Sequence, residues 1–526
     1  MPIKTSLARA RQRTVRQRQR QKHATPAANI SAASPSVLRP GSGMADSFPS
    51  RHPHQASPVP DLFTTAPQIK DVLVTDTSVR QDAVESSCRE FLAGKPGGGV
   101  PVNSHAVPSL RRDHHIAFLE KNLGPLPPAY KAADASRPWI FYWCLNGLVL
   151  LGADVSKYRD GLVATARSIQ NETGGFGGGF GQQSHLATTY AMVLSLAIVG
   201  GEAAYQVIDR RAMWKWLCAL KQPDGGFRLT LGGEIDVRGA YCAAVLITIL
   251  KLPLDLPRDS PSHTPERLDL FTGLADYVRR CQTFEGGISA RPGAEAHGAY
   301  AFCALGCLAI LDAPHRIFPR FACTTLYPLP IPVAGTSQDS LLTFQARYLD
   351  MPRLISWLSS RQYAPEGGLS GRTNKLVDGC YSHWVGGCWP LIEAAIHGPT
   401  KTTSTETPSS GVDDLYSREG LVRYILCCGQ DQTKRGGMRD KPYQPSDAYH
   451  TCYVLNGLSS AQHVTHILST DEDGTTPPWK YHVLPHLDEA QVYNEEDRVG
   501  PTDPVYVIPE DKRKDIMSYF SSRPGF

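Results

Sequence analysis

The stretch at residues 213–252, MWKWLCALKQPDGGFRLTLGGEIDVRGAYCAAVLITILKL, contains one complete structural repeat. Its first part places apolar residues at helical spacing and ends at Gln222, which predicts an amphipathic helix. The glycine pair Gly225-Gly226 follows and predicts a turn with positive φ. The last part is apolar on nearly every side, which predicts a buried helix. This stretch therefore predicts a helical hairpin with an outer and an inner helix.

The same features recur along the chain. A glutamine followed by a glycine pair occurs five times: Gln170 with Gly174-Gly175, Gln222 with Gly225-Gly226, Gln282 with Gly286-Gly287, Gln362 with Gly367-Gly368, and Gln430 with Gly436-Gly437. An apolar second helix follows each pair, as in HLATTYAMVLSLAIVG and EAHGAYAFCALGCLAIL. A two-helix unit of this kind predicts an all-α fold of stacked hairpins, which form either an open solenoid or a closed ring.

The composition limits the class of protein. The chain has 526 residues, 41% of them hydrophobic, which suits a repeat architecture with a large core. The net charge of +4 is small and much of it lies at the N-terminus, so we expect no nucleic-acid binding by the body of the chain. The 13 cysteines lie mostly in apolar helical runs without a secretory signal, so we expect buried thiols in a cytoplasmic protein. No apolar run reaches the roughly 20 residues of a transmembrane segment.

The sequence also suggests domain boundaries. Residues 1–80 are rich in Arg, Gln, Ser and Pro, which predicts a disordered arm, with a mitochondrial targeting segment as the alternative. Residues 81–526 form the predicted helical domain. Insertions at about 313–348 and 399–413 are Pro-rich and Ser/Thr-rich, and we expect both to be surface loops. From about residue 465 the chain predicts a C-terminal strap with one short helix.

Residues that can bind a metal lie at the starts of inner helices. In GRTNKLVDGCYSHW, at residues 371–384, Asp378 and Cys380 are two positions apart and can face one ion. The segment DAYHTCY supplies His450 at the same place in the next repeat. Asp, Cys and His without a fourth protein ligand is the pattern of a catalytic zinc site. The structural alternative is that Asp378 caps a helix, Cys380 is a core thiol and His450 is a hydrogen-bonded core histidine.

Cationic and aromatic side chains accompany these helix starts. If the inner helices share one polarity, their N-termini converge and favour an anion such as a diphosphate. The hydrogen-bonding candidates at this end are Arg238, His297, Arg372, Lys375 and Tyr381. The helix bodies predict an apolar funnel lined by Trp139, Trp143, Tyr241, Tyr300, Cys303, Trp384 and Tyr453. His185, at another helix start, has no evident partner and is interpreted as structural.

Several long segments resemble a known family. GGFGGGFGQQSHLATTYA, FEGGISARPGAEAHGAYAFC, EGGLSGRTNKLVDGCYSHW and DKPYQPSDAYHTCY closely resemble the β subunits of protein farnesyltransferase, within the protein prenyltransferase β family. The resemblance extends from about residue 85 to the C-terminus, apart from the two insertions. It implies an α/α toroid of inner and outer helices around a funnel. It also implies a heterodimer with a helical-repeat α subunit, and the use of zinc and magnesium.

The resemblance assigns roles to individual residues. It implies that Asp378, Cys380 and His450 bind zinc, whose open position takes the cysteine of a C-terminal CaaX sequence. The resulting thiolate would attack C1 of farnesyl diphosphate. The implied diphosphate contacts are His297, Arg372, Lys375 and Tyr381, the last two also catalytic, with Asp440 recruiting magnesium. The implied isoprenoid lining is Arg238, Tyr241, Tyr300, Cys303 and Trp384, and the implied peptide pocket is Trp139, Trp143 and Tyr449.

The donor length and the competing functions depend on a few residues. A bulky Trp139 with Tyr453 would leave no room for a fourth isoprene unit, which favours the fifteen-carbon donor. Ala448, where relatives often carry an aromatic residue, leaves the CaaX preference open. The nearest alternative is a type I geranylgeranyltransferase β subunit, against which Trp139 and Asp440 argue. More distant alternatives are a terpene cyclase, whose acidic DxDD or DDxxD cluster we do not find facing the cavity, and a non-catalytic helical-repeat scaffold.

Overall fold

The structure is a computed structural model that describes residues 72–93, 101–260, 262–265, 269–312, 349–400, 415–468, 480–486 and 491–523. The chain divides into two compact units. One consists of Met1–Pro58 and Pro127–Asp134, of which only the second piece is described, and it contributes to the 3₁₀ segment Pro128–Ser136. The other consists of Val59–Leu126 and Ala135–Phe526 and contains every element discussed below.

The larger unit is built from paired helices. The inner helices are α3 (Arg137–Leu150), α5 (Leu186–Val199), α8 (Val237–Ile249), α10 (Gly298–Leu311), α12 (Tyr381–Trp384) with α13 (Trp389–His397), and α15 (Ala448–Gln462). The outer helices are α2 (Arg112–Leu123), α4 (Arg159–Ile169), α7 (Arg210–Leu220), α9 (Leu274–Arg280), α11 (Met351–Ser359), and α14 (Arg418–Arg423) with a π-helical turn at Tyr424–Gly429. Helices at Asp76–Leu92 (α1), Glu202–Tyr205 (α6) and Glu510–Ser521 (α16) complete the helical part.

The inner helices pack in a closed ring. Each packs on the next in chain order, α3 on α5, α5 on α8, α8 on α10, α10 on α12 and α12 on α15, and α15 packs back on α3. Every residue of α5 is buried except Ala187, whereas α7 buries one face only. These observations confirm the predicted α/α toroid and exclude the open solenoid for this unit.

The repeated glutamines connect one hairpin to the next. The side-chain amide of Gln282 accepts from the backbone N of Asp350 at 2.7 Å and donates to its carbonyl at 2.9 Å. Gln362 makes the same two contacts with Ser417, at 2.7 and 2.9 Å. Asp350 and Ser417 are the N-caps of the following outer helices. Each such amide therefore satisfies backbone groups that the start of an outer helix would otherwise leave unpaired.

The glutamine of the last repeat closes the ring. Gln430 accepts from the backbone N of Arg111 at 2.7 Å and donates to the carbonyl of Ser109 at 3.2 Å. Arg111 is the N-cap of α2, the first outer helix. Gln222 is the exception among the repeats, because its amide bonds only within its own turn, to Leu220, Lys221 and Arg228.

We expect Gln430→Ala to lower the free energy of unfolding by about 2–4 kcal/mol, because it leaves a part-buried backbone N–H, a part-buried carbonyl and Nε2 of the buried His115 without this partner. Gln222→Ala is the matched control, since this glutamine joins no neighbouring hairpin, and we expect its effect to stay below about 1 kcal/mol. Urea unfolding followed by circular dichroism measures both. Equal losses in the two variants would contradict a closing role for Gln430.

The glycine pairs allow two hairpins to approach closely. At Gly436, where φ is +68°, a Cβ atom would lie 2.3 Å from the carbonyl oxygen of His114 in α2. At Gly437 a Cβ would lie 2.8 Å from the ring of Phe118 in the same helix. An aromatic ring of the next outer helix therefore occupies the space that glycine leaves. The other pairs repeat the arrangement, with Trp216, Tyr277, Trp357 and Tyr424 as the rings.

The helical structure begins at Asp76, before the boundary predicted at residue 81. Helix α1 begins at Asp76, within the predicted arm 1–80, and its N-cap Thr75 forms a capping box with Ser78. One face of α1 enters a buried cluster that contains Cys88, Phe91, Leu92, Tyr424, Cys427 and Cys428. The apolar face that this helix buries is the reason it forms. The rest of the predicted arm, residues 1–71, and the insertion 313–348 lie outside the described residues.

A small sheet was not anticipated. Strand β1 (Pro399–Thr400) pairs in parallel with β2 (His463–Leu468), which pairs antiparallel with β3 (Lys480–Pro485). Helix α15 therefore ends at Gln462 and continues directly as a strand. Val464, Thr465 and Ile467 favour extended backbone, because their branched side chains restrict χ1 in a helix. Residues 401–414 of the second predicted insertion lie outside the described part.

The C-terminal segment that precedes α16 lies against inner helices. Tyr241 of α8 donates to the carbonyl of Val505 at 2.6 Å, and Tyr142 of α3 donates to that of Val507 at 2.8 Å. Asn146 donates to the same Val507 carbonyl at 3.0 Å. Val507 has a φ of +58°, which is unusual for a β-branched residue, and these contacts stabilise it. The predicted strap is thus fixed to α3 and α8.

Two predictions from composition can be compared with the described part of the chain. All 12 cysteines in these residues are buried and none forms a disulfide there, as we expected for reduced thiols. No helix within the described ranges combines the length and apolar character that crossing a membrane requires.

Candidate active site

Three of the predicted metal ligands lie together. One ligand atom each from Asp378, Cys380 and His450 lies within 4.8 Å of the other two, and all three residues are buried. The Asp378 Oδ1 atom lies 3.1 Å from His450 Nε2. Elsewhere in the described residues, no other group of three such side chains comes this close. The donors are one oxygen, one sulfur and one nitrogen, which is a combination that suits a borderline cation such as zinc.

Backbone contacts position the Asp378–Cys380 turn. Oδ1 of Asp378 accepts a hydrogen bond from the backbone N–H of Cys380 at 3.0 Å. The backbone carbonyl of Asp378 accepts one from the backbone N–H of Tyr381 at 2.9 Å. Gly379 donates to the carbonyl of Asp440 at 2.6 Å, and a Cβ there would lie 2.5 Å from the Arg439 carbonyl. Only glycine fits this close approach, so the DGC sequence is required to hold the aspartate and the thiol on one side.

Asp447 orients the third ligand. It is the N-cap of α15, where Oδ1 accepts from the backbone N of His450 at 2.8 Å. Its Oδ2 lies 2.8 Å from His450 Nδ1, which therefore carries the donated hydrogen. In the neutral ring that a metal ion binds, Nε2 then directs its lone pair toward Asp378. The sequence named Asp447 only as a polar helix start and missed this role, which the spacing Asp-x-x-His at an N-terminus could have indicated.

The site favours positive charge. Burial opposes protonation of His450, but the charges of Asp447 and Asp378 outweigh it and raise the pKa of this histidine well above its usual value. The same negative potential would stabilise a bound cation. The donor set and the surrounding charge therefore both fit a divalent metal ion.

Two of the predicted anion-binding residues, His297 and Tyr381, contact each other beside this group. His297, the N-cap of α10, accepts from the backbone N of Ala299 through Nδ1 at 3.0 Å. Nε2 then carries the hydrogen and lies 3.1 Å from the Tyr381 hydroxyl. The ring of Tyr300 lies 5.2 Å from that of His297. These three side chains form one polar patch across α10 and α12.

The cations are placed less uniformly. Arg372 forms an ion pair with Glu295 at 2.7 Å on a half-exposed surface, and Lys375 on the same loop is exposed. Arg238 is held by Asp236, the N-cap of α8. Burial raises the pKa of Tyr300, and the charges of Arg238 and Arg372 both lower it to a smaller extent, so this tyrosine lies near both arginines. Asp440 is paired with its neighbour Lys441, beside the DGC turn.

An unbroken circle of aromatic rings follows the inner helices. Successive ring centroids are 4.4 to 5.9 Å apart around the circle Trp139, Tyr190, Tyr241, Phe302, Trp384, Tyr453, Tyr449, Trp143 and back to Trp139. Trp139, Trp143 and Trp384 keep part of their surface exposed although they lie on inner helices. Because outer helices cover the other side, this exposed surface faces an interior space. Cys303 and Ala448 are buried near the circle.

Three residues of this circle share one position relative to the start of their helix. In three inner helices the aromatic residue stands five positions after the N-cap: Tyr190 after His185, Tyr241 after Asp236, and Phe302 after His297. Tyr300 stands only three positions after its cap and contacts His297 instead. Counting from the helix caps would have identified Tyr190 and Phe302, which the sequence analysis missed.

Comparison with known families gives the following matches. The family described as the prenyltransferase alpha-alpha toroid domain matches residues 110–508. A protein farnesyltransferase subunit beta from Pyricularia oryzae is 56% identical over 471 residues, which cover 89% of this chain and 85% of that protein. A protein farnesyltransferase subunit beta from Schizosaccharomyces pombe is 34% identical over 425 residues, covering 81% of this chain and 94% of that protein.

A solved structure supports the fold independently. The chain matches Candida albicans protein geranylgeranyltransferase-I complexed with GGPP, with a TM-score of 0.54 and 20% identity. The match covers 78% of this chain and 99% of that one. At this identity the match establishes the shared architecture.

Proposed function

This chain belongs to the protein farnesyltransferase β-subunit family, and from that membership we propose that it transfers a farnesyl group from farnesyl diphosphate to the cysteine of C-terminal CaaX sequences. The observation that carries the proposal is the approach of Asp378, Cys380 and His450 within 4.8 Å of one another. They lie beside the polar patch of His297, Tyr300 and Tyr381 and the circle of aromatic rings. A scaffold without catalytic function would not require these three features together.

The proposed metal is zinc, held by Asp378, Cys380 and His450. Bound Zn²⁺ would lower the pKa of the substrate thiol, ordinarily about 8.5, so that it reacts as a thiolate at neutral pH. The chain supplies three ligands and leaves a position for the substrate sulfur, as catalytic zinc sites do. Asp447 fixes the tautomer of His450 from behind, at 2.8 Å.

We expect Asp447→Ala to weaken zinc binding by about 10–100-fold, because it removes the acceptor that orients His450. It also removes a helix N-cap, which costs about 1 kcal/mol of stability. Asp209→Ala is the matched control, because Asp209 caps the outer helix α7 and touches no ligand. Competition with a chromogenic chelator measures the affinity. If both variants hold zinc as tightly as the unmodified chain, Asp447 does not support the site.

The reaction places negative charge on a leaving diphosphate. A bond forms between the substrate sulfur and C1 of the donor while the C1–O bond breaks, and its electron pair leaves with the diphosphate. We propose that His297, Tyr381, Arg372 and Lys375 stabilise this charge, with Lys375 and Tyr381 acting directly on the leaving group. His297 orients the Tyr381 hydroxyl across the 3.1 Å contact. Asp440 is proposed to recruit Mg²⁺ to the diphosphate.

The apolar parts of both substrates need separate walls. Trp384, Tyr241, Tyr300, Cys303 and Arg238 are proposed to line the isoprenoid. Trp139, Trp143 and Tyr449 are proposed to receive an apolar side chain of the CaaX sequence. Trp143 and Tyr449 rings are 5.4 Å apart, and Tyr449 accepts from the Trp384 indole N–H at 3.0 Å, so the two walls meet at Tyr449.

The proposal includes a partner. The family resemblance implies a heterodimer with a helical-repeat α subunit, and a lysine of that subunit is expected to complete the diphosphate contacts. The natural test is therefore co-expression of this chain with the matching α subunit. Transfer to a CaaX peptide is then measured with farnesyl and geranylgeranyl diphosphate, together with the zinc content.

The expected result is about one zinc ion per heterodimer at the Asp378–Cys380–His450 group and faster transfer from the farnesyl donor. A zinc-free heterodimer without transfer activity would overturn the enzymatic proposal. Faster transfer from geranylgeranyl diphosphate would instead favour a geranylgeranyltransferase.

A further inference from the structure

Three histidines meet at the three-stranded sheet. His466 of β2 and His482 of β3 stand directly opposite each other in the antiparallel pair. Side chains at directly opposed positions share one face, with Cβ atoms about 4.5–5.5 Å apart. His397 ends α13, which packs against β2. His397 and His482 each lie close enough to His466 for their charges to lower its pKa.

This group is distinct from the candidate active site. His450 lies in the first turn of α15, whereas β2 begins immediately after the last residue of that helix, Gln462. At 1.5 Å per residue, the helix separates the two groups by roughly 18 Å along its axis. None of the three histidines contributes to the farnesyl transfer proposed above.

His466 lacks a hydrogen-bond partner where one is needed. It is 9% exposed, and its Nδ1 atom is buried without a partner among the described residues. Burial, with the charges of His397 and His482, lowers its pKa, so the ring is neutral at pH 7. A neutral imidazole nitrogen whose lone pair accepts no hydrogen bond can bind a metal ion. Leaving such a nitrogen buried without a partner is unfavourable.

We propose that His466 and His482, joined by His397, form a second binding site for a borderline divalent metal ion, with Zn²⁺ as the preferred ion. Imidazole ligands suit zinc, copper and nickel, and oxygen-seeking ions such as Mg²⁺ would not compete. The part of the chain that is described has only the Asp378 group with its ligand atoms within 4.8 Å. Binding therefore requires the rings of exposed His482 and half-buried His397 to turn toward fixed His466.

A metal at this place would link three separate segments. It would connect the end of α13 with both strands of the β2–β3 hairpin. Because the ion binds only when these segments are assembled, it would stabilise the folded chain in proportion to the logarithm of the zinc concentration. The site does not depend on the proposed function, since neither the donor nor the CaaX substrate touches it.

The test uses the full-length chain co-expressed with its α subunit. Zinc bound after equilibrium dialysis against excess Zn²⁺ is counted by mass spectrometry. We expect two ions in the unmodified heterodimer, one in Cys380→Ala, and one in the double variant His466→Asn/His482→Asn, whose transfer activity stays unchanged. His263→Asn, which replaces a half-buried histidine elsewhere, should retain two.

Cobalt separates the two sites spectroscopically. With Co²⁺ in place of zinc, the Cys380→Ala variant should lose the thiolate-to-cobalt charge-transfer band of the Asp378–Cys380–His450 site. It should retain the visible absorption bands of cobalt bound by the three histidines. The single variant His482→Asn changes only an exposed side chain, so it tests the site without disturbing the core. Only one ion in the unmodified heterodimer, or two ions in the double variant, would overturn the proposal. Loss of farnesyl transfer in Cys380→Ala tests the other site and leaves this result unaffected.

Discussion

Replacing Cys380 with alanine is expected to reduce farnesyl transfer by about a thousandfold or more. The sulfur is one of three ligands within 4.8 Å, and without it zinc has only Asp378 and His450 from this chain. Metal activation of a nucleophile contributes several kcal/mol, and each 1.36 kcal/mol is about a factor of ten in rate. Zinc content should fall with the rate. The affinity for farnesyl diphosphate should change little, because His297, Arg372 and Tyr381 are proposed to hold the diphosphate.

Cys388→Ala is the matched control for this experiment. Cys388 is as fully buried as Cys380 and lies in the next turn of the same segment, where its Sγ lies 3.4 Å from the Trp384 carbonyl. The Cys388→Ala variant also removes a buried Sγ atom, but it leaves all three proposed metal ligands in place. Steady-state transfer and the zinc content together decide the outcome. A Cys380→Ala heterodimer that keeps its zinc and its activity would refute the metal site.

Replacing Trp139 with threonine is expected to raise the preference for the twenty-carbon donor by about 100-fold or more. The indole packs between Trp143 and Tyr190, at 5.8 Å from each ring, so it narrows the circle at one point. The smaller side chain opens space for a fourth isoprene unit of five carbons. At about 0.8 kcal/mol for each buried carbon, that unit can gain several kcal/mol of binding energy.

The measurement is the ratio of kcat/KM values for geranylgeranyl and farnesyl diphosphate. Trp214→Thr is the control, because Trp214 lies on the outer helix α7 and faces away from the circle of rings. It should leave the donor ratio unchanged. If Trp139→Thr retains the farnesyl preference, the length limit must come from other rings, with Tyr190 and Tyr241 as the next candidates.

The hairpin repeat could be predicted from the sequence because its causes are local. A glutamine, a glycine pair and an apolar run follow one another within a few dozen residues. They predict, in turn, the end of an outer helix, a turn and a buried helix. The closure of the ring could not be predicted in this way. Its hydrogen bond from Arg111 to Gln430 joins residues 319 positions apart, and neither residue type indicates its partner.

The sequence predicted which residues form the metal-binding group of the candidate site better than it predicted how they are positioned. Asp378, Cys380 and His450 were recognisable because they occur together with cationic and aromatic residues at the starts of successive inner helices, although each residue alone has a common structural role. The role of Asp447 in orienting His450 was missed, because the sequence does not distinguish an aspartate that only caps a helix from one that also binds a histidine side chain. Tyr190 and Phe302 were not among the predicted lining residues, because their positions in the circle become apparent only when they are counted from the helix caps His185 and His297. The β2 strand was missed because HVTHIL continues an apolar helical run without a breaking residue.

The junction between Gln430 and Arg111 has a consequence for synthesis of the chain. Its two halves emerge from the ribosome more than 300 residues apart, so the first hairpin must wait with one edge uncovered until the last hairpin is made. Contacts of such long sequence separation slow folding and expose apolar surface during the delay. A nascent chain of this architecture should therefore depend on chaperones until its final hairpin arrives.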